Sequence, residues 1–548
     1  MPDQQALQSL LRRIDDRPYP AYRDLTGTWS LGSRTLILDH VQGDPYASPS
    51  RVRLRVATDV PARILAHTDA REAAEDGLLR RFGAALWSGQ VGSGRSGELR
   101  IYRPGPEVVE RSALRLLPDG TAEVRFTVGL PAQGRRVLGR QAYELLTRHL
   151  DAPCGALRWD EGLEAHVRSV QVQRALRRQL SERGLVAFVA DGSVLPRASG
   201  VDAAPLPNAI PWTSPPSLRV TLQSPAGEVS GTGFPEGVTL IAGGGFHGKS
   251  TLLQALQRGH LDHIPGDGRE LVVSLPSGVK IRAEDGRRVE AVDISPFLRD
   301  LPGGTGTAPF STEDASGSTS QAAALVEAAA SGARLIFLDE DTSATNLLVR
   351  DERMRALIPA ESEPITPLVE RIQQVHRTWG TSSVLVVGGV GDFLAVADTV
   401  LVMEGWRARE ATAEAHAIAP TPPPSPGPLP QVRARIPLPR DAGPMKVRAR
   451  DDRAIRYGEE DISLLAVEQV LDATHASTIG EAIRFLYQEL VDGERDMTAL
   501  LRALDAILDD EGVEALSSRG YPTGDLIRPR RHEVAAALSR LRTLTVRR

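Results

Sequence analysis

The chain contains 548 residues, of which 41% are hydrophobic and 25% are charged. These fractions are typical of globular proteins and exclude a wholly disordered or fibrous chain. The 65 lysines and arginines nearly balance the 70 aspartates and glutamates, and the net charge of −5 excludes a uniformly basic nucleic-acid coat protein. The single cysteine, Cys154, excludes an internal disulfide and a cysteine-rich zinc site.

The sequence contains no segment with the apolar length of a signal peptide or a membrane span. The first twenty residues lack an apolar core and include Asp15 and Asp16. The most apolar stretch, residues 384–403, is interrupted by Asp392 and Asp398, whereas a span needs about 18 apolar residues. We therefore expect a soluble, cytoplasmic protein without a membrane partner.

The first part of the chain is expected to fold as an N-terminal α+β domain. Apolar residues at helical spacing predict a short amphipathic helix over residues 7–14. Strand-like runs follow over residues 28–38 and 51–57. A helix is predicted over residues 162–182, and prolines between residues 205 and 216 mark the end of the domain.

The middle of the chain alternates strand-like runs with helical segments. The runs cover residues 238–242, 334–338 and 383–387. This alternation is typical of an α/β fold in which a parallel sheet is joined by crossover helices. Prolines then form a linker, which is followed by a helical C-terminal region with a basic tail. The predicted domains are residues 1–215, 216–417, 418–431 and 432–548.

The strongest chemical motif follows the first strand of the middle domain. A glycine-rich loop ends in lysine and serine and opens a helix, matching all eight positions of a phosphate-binding loop. Glycines allow the backbone N–H groups to face phosphates, and the helix N-terminus adds positive potential. Lys249 is predicted to bind the β- and γ-phosphates and Ser250 to bind Mg²⁺; the alternative is a tight turn without a ligand. The loop residues are Gly243, Gly244, Gly245, Phe246, His247, Gly248, Lys249, Ser250 and Thr251.

A pair of carboxylates follows about 90 residues after the lysine of this loop. Four apolar residues, 335–338, lead directly into Asp339 and Glu340. A buried strand would deliver Asp339 to its C-terminal end, where the carboxylate can bind Mg²⁺. Glu340 would then orient or deprotonate the attacking water. We predict Glu340 and Lys249 as catalytic residues, and Ser250 and Asp339 as metal ligands.

Two further segments resemble motifs of ATP-binding-cassette (ABC) ATPases. Residues 339–346 resemble the Walker B and D-loop run, and residues 315–321 resemble the signature motif, in the order found in a cassette after the Walker A phosphate loop. The alternative for the signature is a flexible loop with a helix cap. Longer segments are similar to the family of predicted ATPases of the ABC class. These segments are residues 39–45, 264–270, 280–286, 293–297, 363–367, 457–460 and 528–531.

The resemblance implies an ATP hydrolase with ATP and Mg²⁺ as cofactors. It also implies a nucleotide-gated homodimer, in which the signature residues Ser316, Gly317 and Ser318 of one copy contact the nucleotide bound by the other. RNA or a ribonucleoprotein is the partner class that the resemblance favours, rather than a membrane transporter. The alternative is a nucleotide-dependent scaffold or protein-partner switch in which hydrolysis is incidental.

The sequence departs from the ABC pattern in three places. Transporter-type cassettes place a histidine after the strand that here ends near residue 387, and this chain has none there. No glutamine loop is identified, although Asp293 and Ser295 lie where it is expected. An adenine-stacking aromatic is also not identified, and the candidates are Trp212 and Phe234.

Arginine-rich segments are the only sequence feature that points to a macromolecular partner. Such residues bind phosphate backbones when they share one face. The alternative is dispersed solvation, because arginine supplies nearly all the positive charge of this chain. The candidate RNA-binding residues are Arg135, Arg136, Arg174, Arg177, Arg178, Arg528, Arg530 and Arg531.

Overall fold

The computed structural model describes residues 1–301, 306–351, 357–358, 362–424, 426–440 and 445–547. The chain forms two compact units. The first unit comprises Met1–Gln171 and Glu511–Arg528, and the second comprises Val172–Asp510 and Pro529–Arg548. Among the described residues, no helix is both long and apolar enough to cross a membrane.

The first unit is built on an antiparallel sheet. Its strands are β1 (Gly27–Leu31), β2 (Arg34–His40), β3 (Ser50–Ala57), β4 (Leu99–Arg100), β5 (Glu107–Val108), β6 (Leu114–Leu116), β7 (Thr121–Val128), β8 (Ala132–Gln133) and β9 (Arg136–Val137). Its helices are α1 (Gln4–Ile14), α2 (Ala62–Leu65), α3 (Thr68–Ala85), α4 (Gly139–Leu146) and α5 (Asp151–Gly155), and α6 (Glu161–Glu182) continues into the second unit. The sheet order is β1-β2-β3-β7-β4, with β6 also paired to β7, and β8 and β9 form a separate hairpin.

The second unit contains the α/β core. Its strands are β10 (Leu185–Ala190), β11 (Arg219–Ser224), β12 (Gly227–Pro235), β13 (Val238–Ala242), β14 (Asp262–His263), β15 (Val272–Ser274), β16 (Gly278–Lys280), β17 (Arg287–Val292), β18 (Phe310–Ala315), β19 (Leu335–Asp339), β20 (Ser382–Val386), β21 (Thr399–Glu404), β22 (Arg407–Glu410), β23 (Val447–Ala449), β24 (Ala454–Tyr457) and β25 (Glu460–Ser463). Its helices are α7 (Lys249–Arg258), α8 (Gly317–Ala330), α9 (Thr345–Leu348), α10 (Leu368–Trp379), α11 (Thr412–Ile418), α12 (Ala473–Phe485), α13 (Met497–Glu511) and α14 (Arg531–Ser539).

Both units also contain short 3-10 segments, which cover Tyr19–Leu25, Arg148–Leu150, Pro216–Leu218, Glu340–Thr342, Asp392–Ala395 and Val513–Leu516. A π-helical turn covers Leu486–Leu490.

A six-stranded sheet forms the centre of the second unit. Its order is β16-β19-β20-β13-β21-β22, and every pair is parallel except the β21–β22 hairpin. Along β19, Leu335 and Phe337 belong to one hydrophobic cluster, whereas Ile336 and Leu338 belong to the cluster on the opposite face. Apolar residues of α7 pack in the first cluster, and those of α8 and α10 pack in the second. The predicted α/β core with a mixed sheet is confirmed, and burial on both faces explains its continuous apolar runs.

The C-terminal residues of the second unit are mainly helical, as predicted, but they also contain the three-stranded antiparallel sheet β23-β24-β25. They attach to α8 through buried polar contacts. Glu327 of α8 pairs with Arg435, whose guanidinium also donates to the Ser539 hydroxyl at 2.9 Å. The Ser331 hydroxyl lies 2.9 Å from Nδ1 of His532 in α14. These contacts connect the C-terminal residues to the helix that begins with the signature segment.

Candidate nucleotide-binding site

The glycine-rich loop connects β13 to α7, and two of its glycines have no tolerated replacement. Gly243 has a φ of +139°, and a Cβ there would lie 2.4 Å from the Met403 carbonyl oxygen. Gly248 has a φ of +95°, and a Cβ there would lie 2.8 Å from the indole of Trp406. The loop therefore curls tightly against the turn between β21 and β22. The first N–H groups of α7, which have no partner inside the helix, point into the concave side of such a loop.

Lys249 is the first residue of α7. Its Nζ donates to the carbonyl oxygens of Gly243 and Gly244, each at 2.7 Å. The adjacent Ser250 is exposed, and its hydroxyl makes no hydrogen bond to any residue that the structure describes. A cation and a hydroxyl therefore lie together at the N-terminus of the helix.

His247 and Phe246, two loop residues predicted to bind the nucleotide, have different surroundings. Nδ1 of His247 accepts the backbone N–H of Gly405 at 2.8 Å, so this ring connects the loop to the β21–β22 turn. Phe246, at the tip of the loop, has a φ of +62° and a fully exposed ring. Neither side chain forms a hydrogen bond to Lys249.

The parallel strands bring the two carboxylates to the same edge of the sheet as the loop. Asp339 pairs in register with Val386 of β20, and Val386 pairs with Ile241 of β13. Asp339 is thus two strands, roughly 10 Å, from the beginning of the loop. This spacing fits a chain of phosphates and a metal ion between β13 and β19.

Glu340 is held by the loop that follows β20. Its Oε2 accepts the backbone N–H groups of Gly388 at 2.6 Å and Gly389 at 3.0 Å. A Cβ at Gly388 would lie 3.9 Å from this Oε2 and 4.0 Å from Nζ of Lys249, so the three groups surround one small space. The expected histidine is absent from this loop, and two backbone N–H groups lie beside the Glu340 carboxylate.

The donors at this edge fit Mg²⁺, whose preferred ligands are oxygen atoms. Asp339 is buried, and its Oδ1 accepts the N–H of Asp341 at 3.3 Å, while Oδ2 makes no hydrogen bond to a described residue. Together with the Ser250 hydroxyl it offers the two protein ligands that a phosphate-bound Mg²⁺ needs. No cluster of three or more histidines, cysteines or carboxylates that could hold another metal occurs in the described part of the chain.

The predicted signature residues begin α8. Ser316 caps this helix by accepting the N–H of Thr319, and Gly317 and Ser318 form its first turn. Buried Gln321 connects the helix to the predicted D-loop, since its Nε2 donates to the Ser343 hydroxyl at 2.9 Å and its Oε1 accepts the Ala344 N–H at 2.8 Å. Among the described residues, residues 316–318 make no hydrogen bond to residues 243–251.

The segment that follows β16 runs beside the carboxylate strand β19. β16 pairs with β19, and the chain then passes Thr342 and Ser320, whose oxygens accept the N–H groups of Ala283 and Glu284 at 2.9 Å. Asp293 and Ser295 instead bond to each other at 2.6 Å. The place of a glutamine loop near Asp293 and Ser295 stays a sequence expectation.

Neither of the two candidate adenine-stacking aromatics has an accessible ring. Trp212 is 3% exposed, and its indole N–H donates to Thr232 at 2.9 Å. Phe234 is 1% exposed and belongs to the hydrophobic cluster that includes α7. Both rings are core residues, and neither can reach a bound base.

Several arginines predicted to bind RNA have intramolecular partners. Arg174 and Arg177 each bind the buried Asp262 carboxylate at 2.7 Å, so they do not form an exposed patch, and the prediction is wrong for them. Arg530 donates to the carbonyls of Pro276 and Gly278 at 2.6 and 3.0 Å. The remaining pairs join Arg528 to Glu110, Arg531 to Asp505, Arg135 to Asp44 and Arg136 to Asp16, while Arg178 is exposed.

Three family models match consecutive parts of the chain. Residues 159–429 match the ABC ATPase model, which describes a P-loop domain. Residues 4–154 match the N-terminal model of the ATPase of the ABC class. Residues 446–547 match the model of the MRB1590 C-terminal domain.

Individual proteins are similar over shorter stretches. The uncharacterized protein MJ1628 of Methanocaldococcus jannaschii is 32% identical over 248 residues, which cover 43% of this chain and 54% of that protein. The chain therefore spans about half the length of this curated relative. Among solved structures, cbiO1 from Clostridium perfringens, part of the ABC transporter complex cbiONQ, aligns with 14% identity and a TM-score of 0.25 over 41% of this chain and 87% of that one.

Proposed function

Because the chain belongs to the ATPases of the ABC class, we propose that it binds Mg-ATP at residues 243–251 and hydrolyses it. The observation that carries this proposal is the arrangement around one space at the sheet edge. Nζ of Lys249 and Oε2 of Glu340 lie 4.0 and 3.9 Å from the position that a Cβ at Gly388 would take, and Gly388 and Gly389 hold this Oε2. A γ-phosphate and its attacking water need a cation and a base in this relation.

The residues of the chain divide the chemistry among them. Lys249 exchanges its two carbonyl acceptors for phosphate oxygens when ATP binds. Ser250 and Asp339 would hold Mg²⁺, which neutralises charge on the phosphates. Oε2 of Glu340 is occupied by two N–H groups, so Oε1 is the atom that takes the proton of the attacking water. This division supports hydrolysis over a scaffold that binds ATP without turnover.

We also propose that the active form is a homodimer. A signature segment must reach the nucleotide, yet residues 316–318 make no hydrogen bond to the loop of the same chain within its described part. A two-fold symmetric dimer can place the signature of each copy over the loop of the other, and it supplies both missing contacts at once. The hydrogen bonds of Gln321 to Ser343 and Ala344 would then connect the signature helix of each copy to its own D-loop.

RNA is the proposed partner, and the turn of the β8–β9 hairpin is the surface that supports it. The Arg135 and Arg136 side chains are 76% and 64% exposed, and their ion pairs to Asp44 and Asp16 lie at the surface. Such pairs contribute about 0–1 kcal/mol, so phosphate groups can replace these acids at little cost. Arg174 and Arg177 take no part in this proposal.

Lys249→Ala tests the nucleotide site. We expect loss of tight ATP binding and of steady-state phosphate release, with or without RNA, because no other cation of the loop replaces the ammonium. The carbonyls that it leaves are accessible to water, so the fold should be retained. Lys446→Ala, at an exposed lysine, is the matched control and should behave like wild type. Tight ATP binding by Lys249→Ala would refute the site.

Reversing Arg135 and Arg136 to glutamate tests the RNA proposal. Fluorescence anisotropy with single-stranded RNA at two salt concentrations should show binding by the wild type that weakens steeply with salt, since bound arginines release counterions. The double variant should lose most of this affinity and keep its phosphate release. Reversal of Arg299 and Arg502, two exposed arginines of the second unit, serves as the control. If the wild type does not bind RNA at low salt, the proposal fails and a protein partner takes its place.

A further inference from the structure

Two exposed aromatic side chains lie at the phosphate loop. In the described part of the second unit, Phe246 and Trp406 are the only exposed aromatic residues, and every other phenylalanine, tyrosine or tryptophan there is buried or half-buried. Phe246 lies in the loop itself, and Trp406 lies in the turn between β21 and β22. Both rings are accessible beside the proposed phosphate loop, and an accessible aromatic face is what stacking with a base needs.

The backbone of Trp406 is strained in a way that brings its ring to the loop. Its φ is +65°, a region that bulky L-residues rarely adopt and that glycine fills without cost. The ring lies against Gly248, where it would come within 2.8 Å of any added Cβ. Gly405, next to Trp406, donates to His247 and fixes the turn on the loop. Strained residues of this kind concentrate at functional sites.

The strand order determines on which side of the loop a nucleoside lies. Asp339 and Glu340 follow β19, which lies on one side of β13, and the turn with Trp406 follows β21, which lies on the other side. The γ-phosphate must point to the carboxylates. The ribose and base, at the opposite end of the nucleotide, therefore extend from the N-terminus of α7 toward the β21–β22 turn.

We infer that Trp406 is the platform on which the purine base of the bound nucleotide stacks. The inference rests on the proposed binding of ATP and names the part of the site that holds its base. It assigns this role to the turn after β21, whereas Trp212 and Phe234 are enclosed in the core. Stacking between a base and an aromatic side chain needs only an accessible ring face.

The affinities for ATP and for inorganic tripolyphosphate distinguish two roles of Trp406: stacking on the base, or only supporting the conformation of the phosphate loop. Tripolyphosphate carries the same phosphates without a base. Trp406→Ala should weaken ATP binding by about tenfold or more, the usual effect of removing one stacked ring, and leave the tripolyphosphate affinity unchanged. Trp406→Phe should keep most of the ATP affinity. Arg409→Ala, at an exposed arginine of β22, is the control and should change neither affinity.

Trp406→Gly keeps the inference testable if the alanine variant misfolds. Glycine adopts a positive φ without strain, so the melting temperature of the Trp406→Gly variant should rise. The ATP affinity of this variant should fall as in Trp406→Ala. Equal losses for ATP and tripolyphosphate, or an unchanged ATP affinity in the glycine variant, would overturn the stacking role. Failure of the wild type to bind either ligand would instead refute the nucleotide site, and the inference with it.

Discussion

Replacing Glu340 with glutamine is expected to separate the proposed ATP binding from the proposed hydrolysis. The amide oxygen of glutamine can take the position of Oε2 and accept the N–H groups of Gly388 and Gly389, now at 2.6 and 3.0 Å. The side chain therefore keeps its shape and its anchor. What it loses is the negative charge and the ability of Oε1 to accept a proton.

The expected loss of rate follows from these two changes. A positioned general base contributes about 10²–10⁴-fold to a reaction rate, which is about 3–5 kcal/mol of activation free energy. The two anchoring hydrogen bonds weaken by about 1–2 kcal/mol when the acceptor becomes neutral, and this change does not touch the proposed phosphate loop. ATP affinity should therefore stay within a few-fold of wild type while phosphate release falls at least a hundredfold.

Phosphate release and sedimentation velocity measure both effects on one preparation. With ATP and Mg²⁺, Glu340→Gln should accumulate as a dimer, and with ADP it should be monomeric, because uncleaved ATP keeps the proposed interface closed. Asp341→Asn is the matched control, since it removes a neighbouring exposed charge from the same turn and should hydrolyse ATP normally. Hydrolysis by Glu340→Gln at the wild-type rate would refute its role as the base.

Two further predictions concern the dimer and the pH dependence of the two units. Ser316→Arg places bulk and charge at the proposed interface, so it should abolish phosphate release and dimerisation but retain ATP binding at Lys249; full activity would mean that one chain completes the site. Burial raises the pKa of Glu75 in the first unit from 4.5 to about 7, so its stabilisation is complete below pH 4.5 and is lost as the pH rises through 7. Burial lowers the pKa of His475 in the second unit from 6.5 to about 4, so its stabilisation is present above pH 6.5 and is lost as the pH falls through 4. Lowering the pH from 8 to 5 should therefore raise the melting temperature of the first unit and lower that of the second, as measured by calorimetry. Shifts of both melting temperatures in the same direction would contradict the roles of Glu75 and His475.

The parts of the site that were predictable are those in which local sequence dictates local backbone. The glycines of the loop are needed because Gly243 and Gly248 adopt positive φ and touch the β21–β22 turn. The apolar run before Asp339 is needed because β19 is buried on both faces. Such local requirements fix the residue types at certain spacings, and this pattern can be recognised in the sequence without knowledge of the fold.

Contacts between distant segments left no such pattern. Arg174 and Arg177 share a helix and predict a basic surface, but their partner Asp262 is about 85 residues away in the chain. Only the packing of β14 against this helix reveals that the charges are internal. Likewise, Trp406 has no motif of its own, and its proximity to Gly248 follows from the pairing of β21 with β13.

The loop after β20 makes the missing histidine compatible with the proposed hydrolysis. An imidazole in this place would titrate near neutral pH, whereas the N–H groups of Gly388 and Gly389 donate at any pH at which the protein is folded. The position of Glu340 is then set by the conformation of this loop rather than by a protonation state. Glycine suits the role because a Cβ at residue 388 would point into the space between Glu340 and Lys249, within 4.0 Å of both. If ATP binds as proposed, a side chain there would compete with the γ-phosphate, whereas two backbone donors leave that room open.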